Sequence, residues 1–215
     1  MSSSKVAIVD YGVGNLLSVE RALRSSSVTA FVSSNLDELE DSSHIVLPGV
    51  GAFGRAMSLL RERHLDIFLK SYERTGRPLL GICLGMQLLF QTSEEFGQWE
   101  GLGFIDGRVV PIDGDPLGSG EVKVPHVGWS LIEPQGEARL LRSSQDKSAN
   151  ARPSFYFVHS FRALPSETAV TKAICRYGKI EIPAIVERDN VYGCQFHPEK
   201  SGPLGLELLR NFCAL

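Results

Sequence analysis

Residues 78–90 read PLLGICLGMQLLF, with Cys83 at the centre of the pentapeptide Gly81–Gly85. The apolar residues before Cys83 predict a buried strand, and those after it predict a helix. A cysteine on such a sharp strand-to-helix turn has the geometry of a nucleophile elbow. The flanking glycines permit the close backbone approach that this turn requires, and the positive end of the following helix favours a thiolate. We therefore interpret Cys83 as a candidate nucleophile, with a buried structural cysteine as the alternative.

The segments before Cys83 alternate between strand and helix patterns. Strands are predicted at Lys5–Asp10, Thr29–Ser33, His44–Leu47 and Pro78–Ile82, and helices at Leu16–Arg24, Ala52–Arg63 and Leu65–Arg74. This alternation indicates a largely parallel sheet with helices on its faces. Side chains at the C-terminal ends of its strands are then expected to form the functional site.

Beyond about Gly103 the pattern changes to short strands separated by turn residues. These strands are predicted at Phe104–Val110, Glu121–Val124, Ser154–Val158, Val170–Arg176, Ala184–Glu187 and Val191–Phe196, and a last helix at Leu204–Phe212. Asp189 and Asn190 predict a hairpin turn, and the polar segments 113–120 and 143–152 predict exposed loops. The whole pattern predicts one α/β domain over residues 1–215: a central, mostly parallel sheet flanked by helices, with an added antiparallel section.

Composition excludes several classes of function. The 215 residues include 22 basic and 25 acidic side chains, for a formal charge of −3, and no basic block. We therefore expect no binding to nucleic acid or to an anionic membrane surface. No apolar run approaches the roughly 20 residues of a membrane span, and the N-terminus lacks a signal-peptide pattern.

The spacing of the cysteines bears on metals and on the redox compartment. Cys83, Cys175, Cys194 and Cys213 show no C-x-x-C spacing, which argues against a structural zinc site. We interpret all four as reduced thiols of a cytoplasmic protein that uses neither a metal nor a cofactor.

A thiol nucleophile needs a base, and the base needs an orienting partner. Near the C-terminus, His197 follows a predicted strand in the segment Gln195–Glu199. Pro198 biases His197 toward an extended backbone, which places Glu199 on the same side of the chain as the imidazole. A surface His-Pro turn is the alternative.

A glycine-containing loop, Pro48–Gly51, lies between a predicted strand and a predicted helix. Its backbone N–H groups could stabilise an oxyanion, although an ordinary strand-to-helix turn would look the same. The Gly-Lys-Ser/Thr ending of a phosphate-binding loop is missing. Gly12 and Gly14 resemble the start of a dinucleotide fingerprint, but Leu17 occupies the third glycine position and no acidic residue ends the second strand, which disfavours nucleotide binding.

The segments Pro48–Gly51, Gly81–Gln87 and Phe196–Glu199, in this chain order, resemble those of the class I (triad-type) glutamine amidotransferases. Within that class the chain resembles the glutaminase subunits of imidazole glycerol phosphate synthases, in the segments Asp10–Leu16, Leu47–Phe53, Val124–Trp129, Tyr156–Ser160 and His197–Ser201. Two positions depart from that pattern: Ser130 stands where an Asn often follows Gly-Trp, and Phe161 where a Tyr is common after His-Ser.

The resemblance implies hydrolysis of L-glutamine to glutamate and ammonia. Cys83 would attack the amide carbon, His197 would relay the proton, and Glu199 would orient the imidazole. The other implied roles are an oxyanion hole at Gly51 and Leu84, glutamine binding at Gly49, Gln87, Glu95, Ser160 and Phe161, and a partner interface at Asn15, Trp129, His159 and Lys200. The implied partner is a separate (βα)₈-barrel cyclase of histidine biosynthesis, in a heterodimer.

Three other interpretations stay open. A paralogous glutaminase subunit would supply ammonia to a different acceptor enzyme, for example in surface-sugar amidation. A stand-alone cysteine hydrolase would share the elbow but would not respond to a partner. A non-catalytic interaction subunit would keep only the fold, and the intact Cys83, His197 and Glu199 argue against that interpretation.

Overall fold

The computed structural model of the protein describes residues 4–25, 28–112, 122–142 and 153–215. Within these ranges the chain forms fourteen strands and six α-helices. The strands are β1 (Lys5–Val9), β2 (Thr29–Ser33), β3 (His44–Gly49), β4 (Leu79–Cys83), β5 (Phe90–Ser93), β6 (Trp99–Glu100), β7 (Ile105–Pro111), β8 (His126–Leu131), β9 (Glu133–Pro134), β10 (Ser154–His159), β11 (Phe161–Pro165), β12 (Thr171–Tyr177), β13 (Ile180–Arg188) and β14 (Val191–Cys194). The helices are α1 (Leu16–Arg24), α2 (Leu36–Glu40), α3 (Phe53–Glu62), α4 (Leu65–Glu73), α5 (Leu84–Leu88) and α6 (Gly202–Cys213).

The main sheet has eight strands in the order β2-β1-β3-β4-β14-β13-β12-β9. The first five are parallel and the last three run antiparallel to their neighbours. Alternate side chains of β1 enter two different apolar cores: Val6 and Ile8 pack with α1 and α6, whereas Ala7 and Val9 pack with α3 and α4. Because helices cover both faces, β3 and β4 are buried at every position.

Two smaller sheets contain the remaining six strands. One has the order β11-β7-β5-β6, and the other pairs β10 with β8 antiparallel. The predicted fold class is therefore confirmed, although the antiparallel section is divided among three sheets. Among the described residues, no helix is long and apolar enough to cross a membrane.

Several boundaries differ from the sequence prediction. No strand forms over the described part of Glu121–Val124, so that prediction was wrong; the strand begins instead at His126. The helix after Cys83 has only five residues, because the chain joins the second sheet as β5 from Phe90 onward. The hairpin turn at Asp189 and Asn190 is confirmed between antiparallel β13 and β14. The loops predicted at 113–120 and 143–152 lie outside the described residues.

Candidate active site

Three neighbouring parallel strands bring the sequence motifs to one edge of the main sheet. Gly49 at the end of β3 lies opposite Cys83 at the end of β4, and Ile82 lies opposite Cys194 at the end of β14. The chain that continues beyond Cys194 therefore carries His197 to the same edge. This is the C-terminal edge of the strands, where α/β sheets usually place their sites.

The backbone at Cys83 is strained. Its φ of 55° and ψ of −112° lie in a region that non-glycine residues rarely occupy. A Cβ on Gly85 would lie 1.8 Å from the Leu47 carbonyl oxygen, and a Cβ on Gly81 would lie 2.6 Å from the Gly85 carbonyl oxygen. Both glycines are thus required by backbone contacts. Since α5 is only five residues long, its dipole can favour a thiolate only through its first turn.

His197 and Glu199 form a buried hydrogen-bonded pair. His197 Nδ1 lies 2.8 Å from Glu199 Oε1, and the two side chains are 3% and 1% exposed. Because a carboxylate oxygen only accepts, Nδ1 carries the proton. His197 Nε2 has no hydrogen-bond partner among the described residues, and His197 lines the same cavity as Cys83.

The charge state of this site follows from opposing effects on His197. Burial alone lowers the pKa of His197, but its interaction with Cys83 and its hydrogen bond and charge attraction to Glu199 outweigh it and raise that pKa to about 9. At neutral pH the arrangement therefore favours the imidazolium form of His197.

The four cysteines are all free of disulfide bonds and differ in their surroundings. Burial raises the pKa of Cys175 to about 11 and that of Cys213 to about 12, and it also raises the pKa of Cys194. Those three thiols are thereby kept protonated. Cys83, by contrast, lines a cavity together with His197, which makes it the candidate for a reactive thiol.

A cavity of about 360 Å³ opens beside Cys83, a size that lies within the usual range of small-molecule sites. Its lining includes six of the residues predicted to form the oxyanion hole or to bind glutamine: Gly51, Leu84, Gln87, Glu95, Ser160 and Phe161. Gly49, also predicted to bind glutamine, does not line this cavity. A Cβ on Gly49 would lie 2.6 Å from the Tyr11 hydroxyl.

The side chains of Gln87 and Glu95 line the cavity and can accept hydrogen bonds from a positively charged group of a ligand. Gln87 donates from Nε2 to the Phe161 carbonyl (3.1 Å) and to Gln195 Oε1 (3.0 Å). Since both amide hydrogens are then used, a ligand meets the Gln87 oxygen. The Glu95 carboxylate accepts from the Phe53 N–H; burial raises the pKa of Glu95 and that hydrogen bond partly opposes the rise.

The loop Pro48–Gly51 is held at one end only. The Tyr11 hydroxyl donates to the Pro48 carbonyl at 2.8 Å. Burial and the nearby Cys83 raise the pKa of Tyr11, so its hydroxyl stays protonated and remains a donor. Gly51 has a φ of +94° and, with Val50, is exposed at the cavity. The loop can thus present backbone N–H groups next to the sulfur.

Comparison with known proteins decides the family. The model of the family described as "Glutamine amidotransferase class-I" matches residues 7–215. The chain belongs to this family. It is accordingly an enzyme of the class I glutamine amidotransferases.

The curated relatives are similar over nearly their whole length. "Imidazole glycerol phosphate synthase subunit HisH" of Geobacillus thermodenitrificans (strain NG80-2) is 44% identical over 210 residues, 98% of this chain and 95% of the relative. The protein of that name from Desulfitobacterium hafniense (strain DSM 10664 / DCB-2) is 45% identical over 207 residues, 96% and 92% respectively.

Solved structures share the fold at low sequence identity. PurLQS from Thermotoga maritima superposes with a TM-score of 0.72 at 18% identity, covering 98% of each chain. A glutamine amidotransferase from Thermotoga maritima gives 0.61 at 17% identity, covering 93% of this chain and 77% of that one. At this identity they show the amidotransferase fold alone.

The four positions predicted to face a partner differ in exposure. Trp129 is 58% exposed, and Lys200 is exposed with its Nζ 6.0 Å from the centre of the Tyr156 ring. Asn15 is half-buried and borders a small gap that Glu199 also lines. His159 is only 7% exposed and forms part of the cavity wall.

His159 belongs to a buried hydrogen-bonded chain that the sequence did not reveal. His159 Nδ1 donates to the Phe161 carbonyl at 2.8 Å, so its Nε2 accepts from His126 Nδ1 at 2.9 Å. His126 Nε2 in turn accepts from the Ser130 hydroxyl at 2.8 Å. Burial lowers the pKa of both histidines to about 4, so both rings of the amidotransferase are neutral.

Two further residues at the amidotransferase site escaped the sequence reasoning. Ser201 accepts from the Tyr156 N–H at 3.0 Å and donates to the His197 carbonyl at 2.6 Å, which fixes the turn after His197 against β10. Gln195 lies 3.8 Å from Cys83 Sγ through its Nε2. Its position two residues before His197 in the last strand pattern was the available signal.

Proposed function

We propose that this chain is the glutaminase subunit of an imidazole glycerol phosphate synthase. It hydrolyses L-glutamine to glutamate and ammonia, and passes the ammonia to a (βα)₈-barrel cyclase that makes imidazole glycerol phosphate and AICAR in histidine biosynthesis. Residues 1–215 serve as one amidotransferase domain of a cytoplasmic heterodimer. The observation that carries the proposal is the His197–Glu199 pair beside Cys83 at a cavity, in a chain similar over nearly its whole length to HisH subunits.

The site geometry supports a thioester mechanism. The Cys83 thiolate attacks the amide carbon of glutamine, and backbone N–H groups of Gly51 and Leu84 stabilise the resulting oxyanion. The His197 imidazolium gives its proton to the departing ammonia, which leaves a γ-glutamyl thioester on the sulfur. His197 then removes a proton from water as the water attacks the thioester. Glu199 stabilises the imidazolium at each stage in which it forms.

The acceptors of the cavity support glutamine as the substrate. The Glu95 carboxylate and the Gln87 oxygen suit the α-ammonium group of an amino acid, and the backbone at Ser160 and Phe161 borders the same space. With its reactive end at Cys83 and its charged end at Glu95, an amino acid with a side-chain amide fits the distribution of polar groups.

The surface beside the cavity supports a partner protein. On β8, alternate residues face outward, and Val127, Trp129 and Leu131 are 54%, 58% and 52% exposed. Val158 on the paired strand β10 adds to this apolar surface. Exposed apolar patches of this kind mark interaction sites. The Trp129 ring contacts Tyr156, and Lys200 lies near the same Tyr156 ring, so an occupant of this surface would reach the turn that carries His197.

Steady-state glutamate release tests the proposal. The isolated chain should hydrolyse glutamine slowly, and the rate should rise strongly when the cyclase is added together with its ligand. Equal turnover with and without the cyclase would instead indicate a stand-alone cysteine hydrolase.

A substitution separates chemistry from assembly. Cys83→Ser should abolish product formation from glutamine in the complex but leave product formation from added ammonia intact, because the cyclase does not use the thiol. Loss of both activities would place Cys83 in folding or assembly, which contradicts its assigned role.

A further inference from the structure

We propose that Gln195 is a positioning residue for the nucleophile. Its side-chain N–H holds the Cys83 sulfur and favours the thiolate, and Gln87 holds that amide in the required orientation. This inference rests on the proposed function in one respect only, namely that Cys83 is the nucleophile.

The register of the parallel strands places Gln195 beside the sulfur. Cys194 lies opposite Ile82 in the pairing of β14 with β4. The next residues along these two segments, Gln195 and Cys83, therefore also lie side by side. Residues level in adjacent parallel strands point to the same face of the sheet. Gln195 is completely buried, and its Nε2 lies 3.8 Å from Cys83 Sγ.

The orientation of the Gln195 amide follows by elimination. The Phe161 carbonyl can only accept, and it receives the His159 Nδ1–H and the Gln87 Nε2–H. The second hydrogen of that Gln87 nitrogen points at Gln195, so the Gln195 atom 3.0 Å away must be oxygen. The Gln195 nitrogen therefore faces the sulfur. Flipping either amide would set two donors or two acceptors against each other.

This orientation discriminates between the two forms of the sulfur. The neutral thiol donates to the Val158 carbonyl at 3.8 Å. When Cys83 loses its proton, that contact becomes repulsive, while the Gln195 N–H gains a charged acceptor and its hydrogen bond strengthens. Gln195 thus stabilises the ionised form and draws it away from Val158. Since Gln87 also lines the cavity, the same amide pair joins the substrate site to the nucleophile.

Two substitutions test this role in complementary ways. Gln195→Met keeps the length of the side chain but removes both the N–H and the oxygen that accepts from Gln87. Gln195→Glu keeps an oxygen for Gln87 but turns a carboxylate oxygen toward the sulfur. Gln91→Met is the matched control, because Gln91 is an exposed residue of β5 whose side chain bonds to Asp106 and the Gly107 N–H and does not line the cavity.

The assay is alkylation of Cys83 by iodoacetamide in the isolated full chain without glutamine, followed from about pH 6 to 10 by peptide mass spectrometry. Loss of one charge-assisted hydrogen bond should slow alkylation near neutral pH by about tenfold in Gln195→Met. Gln195→Glu should be slower still at the same pH, and both variants should reach half-maximal rate at a higher pH than wild type. The control should match wild type.

The outcome also separates this inference from the proposed function. An alkylation profile unchanged in folded Gln195→Met overturns the inference; where that variant does not fold, an unchanged profile in Gln195→Glu overturns it equally. A shifted profile together with absent glutamine hydrolysis in the wild-type complex refutes the proposed function and leaves the role of Gln195 at the thiol standing. In the active complex, kcat should fall in Gln195→Glu while KM changes little, because that variant keeps an oxygen for Gln87.

Discussion

Replacing Glu199 by glutamine removes one charge and keeps the shape of the triad. The carboxylate lies 2.8 Å from His197 Nδ1 in a pair that is almost completely buried. The rise of the His197 pKa from 6.5 to about 9 corresponds to roughly 3 kcal/mol in favour of the imidazolium, at about 1.36 kcal/mol per pKa unit. Because burial opposes this rise, an equal share between Cys83 and Glu199 means that Glu199→Gln removes at least about 1.5 kcal/mol, and the His197 pKa falls by about one unit or more.

Two assays measure this effect. Titration of ring-labelled histidines by NMR gives the His197 pKa directly, with His197→Asn to assign its signals. Glutamate release by the complex gives kcat, which should fall by roughly 10²- to 10⁴-fold because the amide no longer fixes the tautomer or stabilises the imidazolium. Glu187→Gln is the control, since Glu187 is also buried but its carboxylate pairs with Arg139 and accepts the Arg139 and Leu140 N–H groups instead.

The raised pKa of His197 also determines how the free energy of unfolding depends on pH. The folded-state pKa of His197 exceeds the unfolded value of about 6.5, so its contribution to stability is complete below about pH 6.5 and is lost as pH rises through about 9. Glu199→Gln should therefore reduce the free energy of unfolding more at pH 6 than at pH 10. An unchanged His197 pKa combined with more than about a tenth of the wild-type kcat would refute this reasoning.

Three further predictions concern the elbow, the buried histidines and the partner surface. Gly85→Ala should destabilise the protein by about 3 kcal/mol or more, since its Cβ would meet a backbone carbonyl at 1.8 Å; an unchanged urea midpoint would show that the elbow can relax. Because burial lowers the pKa values of His126 and His159 to about 4, the free energy of unfolding should fall as pH drops from about 6.5 to 4. His126→Phe should flatten that dependence in urea titrations, and a wild-type stability independent of pH there would contradict it. Trp129→Ala should weaken cyclase binding by about 30-fold or more in calorimetry, whereas Ile67→Ala, equally exposed on α4, should not; equal losses would argue against a specific surface.

Local sequence was sufficient where geometry depends on a few neighbouring residues. The elbow is one continuous piece of backbone, formed by the strand before Cys83 and the glycines on either side of it. It could therefore be predicted from residues 78–85. The pairing of His197 with Glu199 was expected from an extended backbone, but only His197 is extended; a 3₁₀ turn over Pro198–Lys200 brings the Glu199 carboxylate to the imidazole. The parallel core was predictable because each strand and helix carries its own apolar pattern.

Contacts between distant segments could not be predicted in this way. His126 meets His159 only because β8 pairs with β10. The local sequence does not predict that pairing, because apolar residues on the outward face of β8 remove the usual alternation of polar and apolar positions. The helix after Cys83 ends early for a similar reason. Its apolar run continues through Leu89 and Phe90, but the backbone there joins another sheet. The contact of Gln195 with Cys83 depends on the register of β14 against β4, which the local sequence does not show.

Labelling with a glutamine-like electrophile tests most directly whether Cys83 is the nucleophile of a glutaminase. The reagent carries the amino-acid end of glutamine and an alkylating group in place of the amide, and peptide mass spectrometry locates its site of attachment. We predict one label per chain, on Cys83, with loss of glutamine hydrolysis in proportion and protection by excess glutamine. Inactivation with the label on another residue, or full glutamine hydrolysis by protein fully labelled at Cys83, would contradict the account.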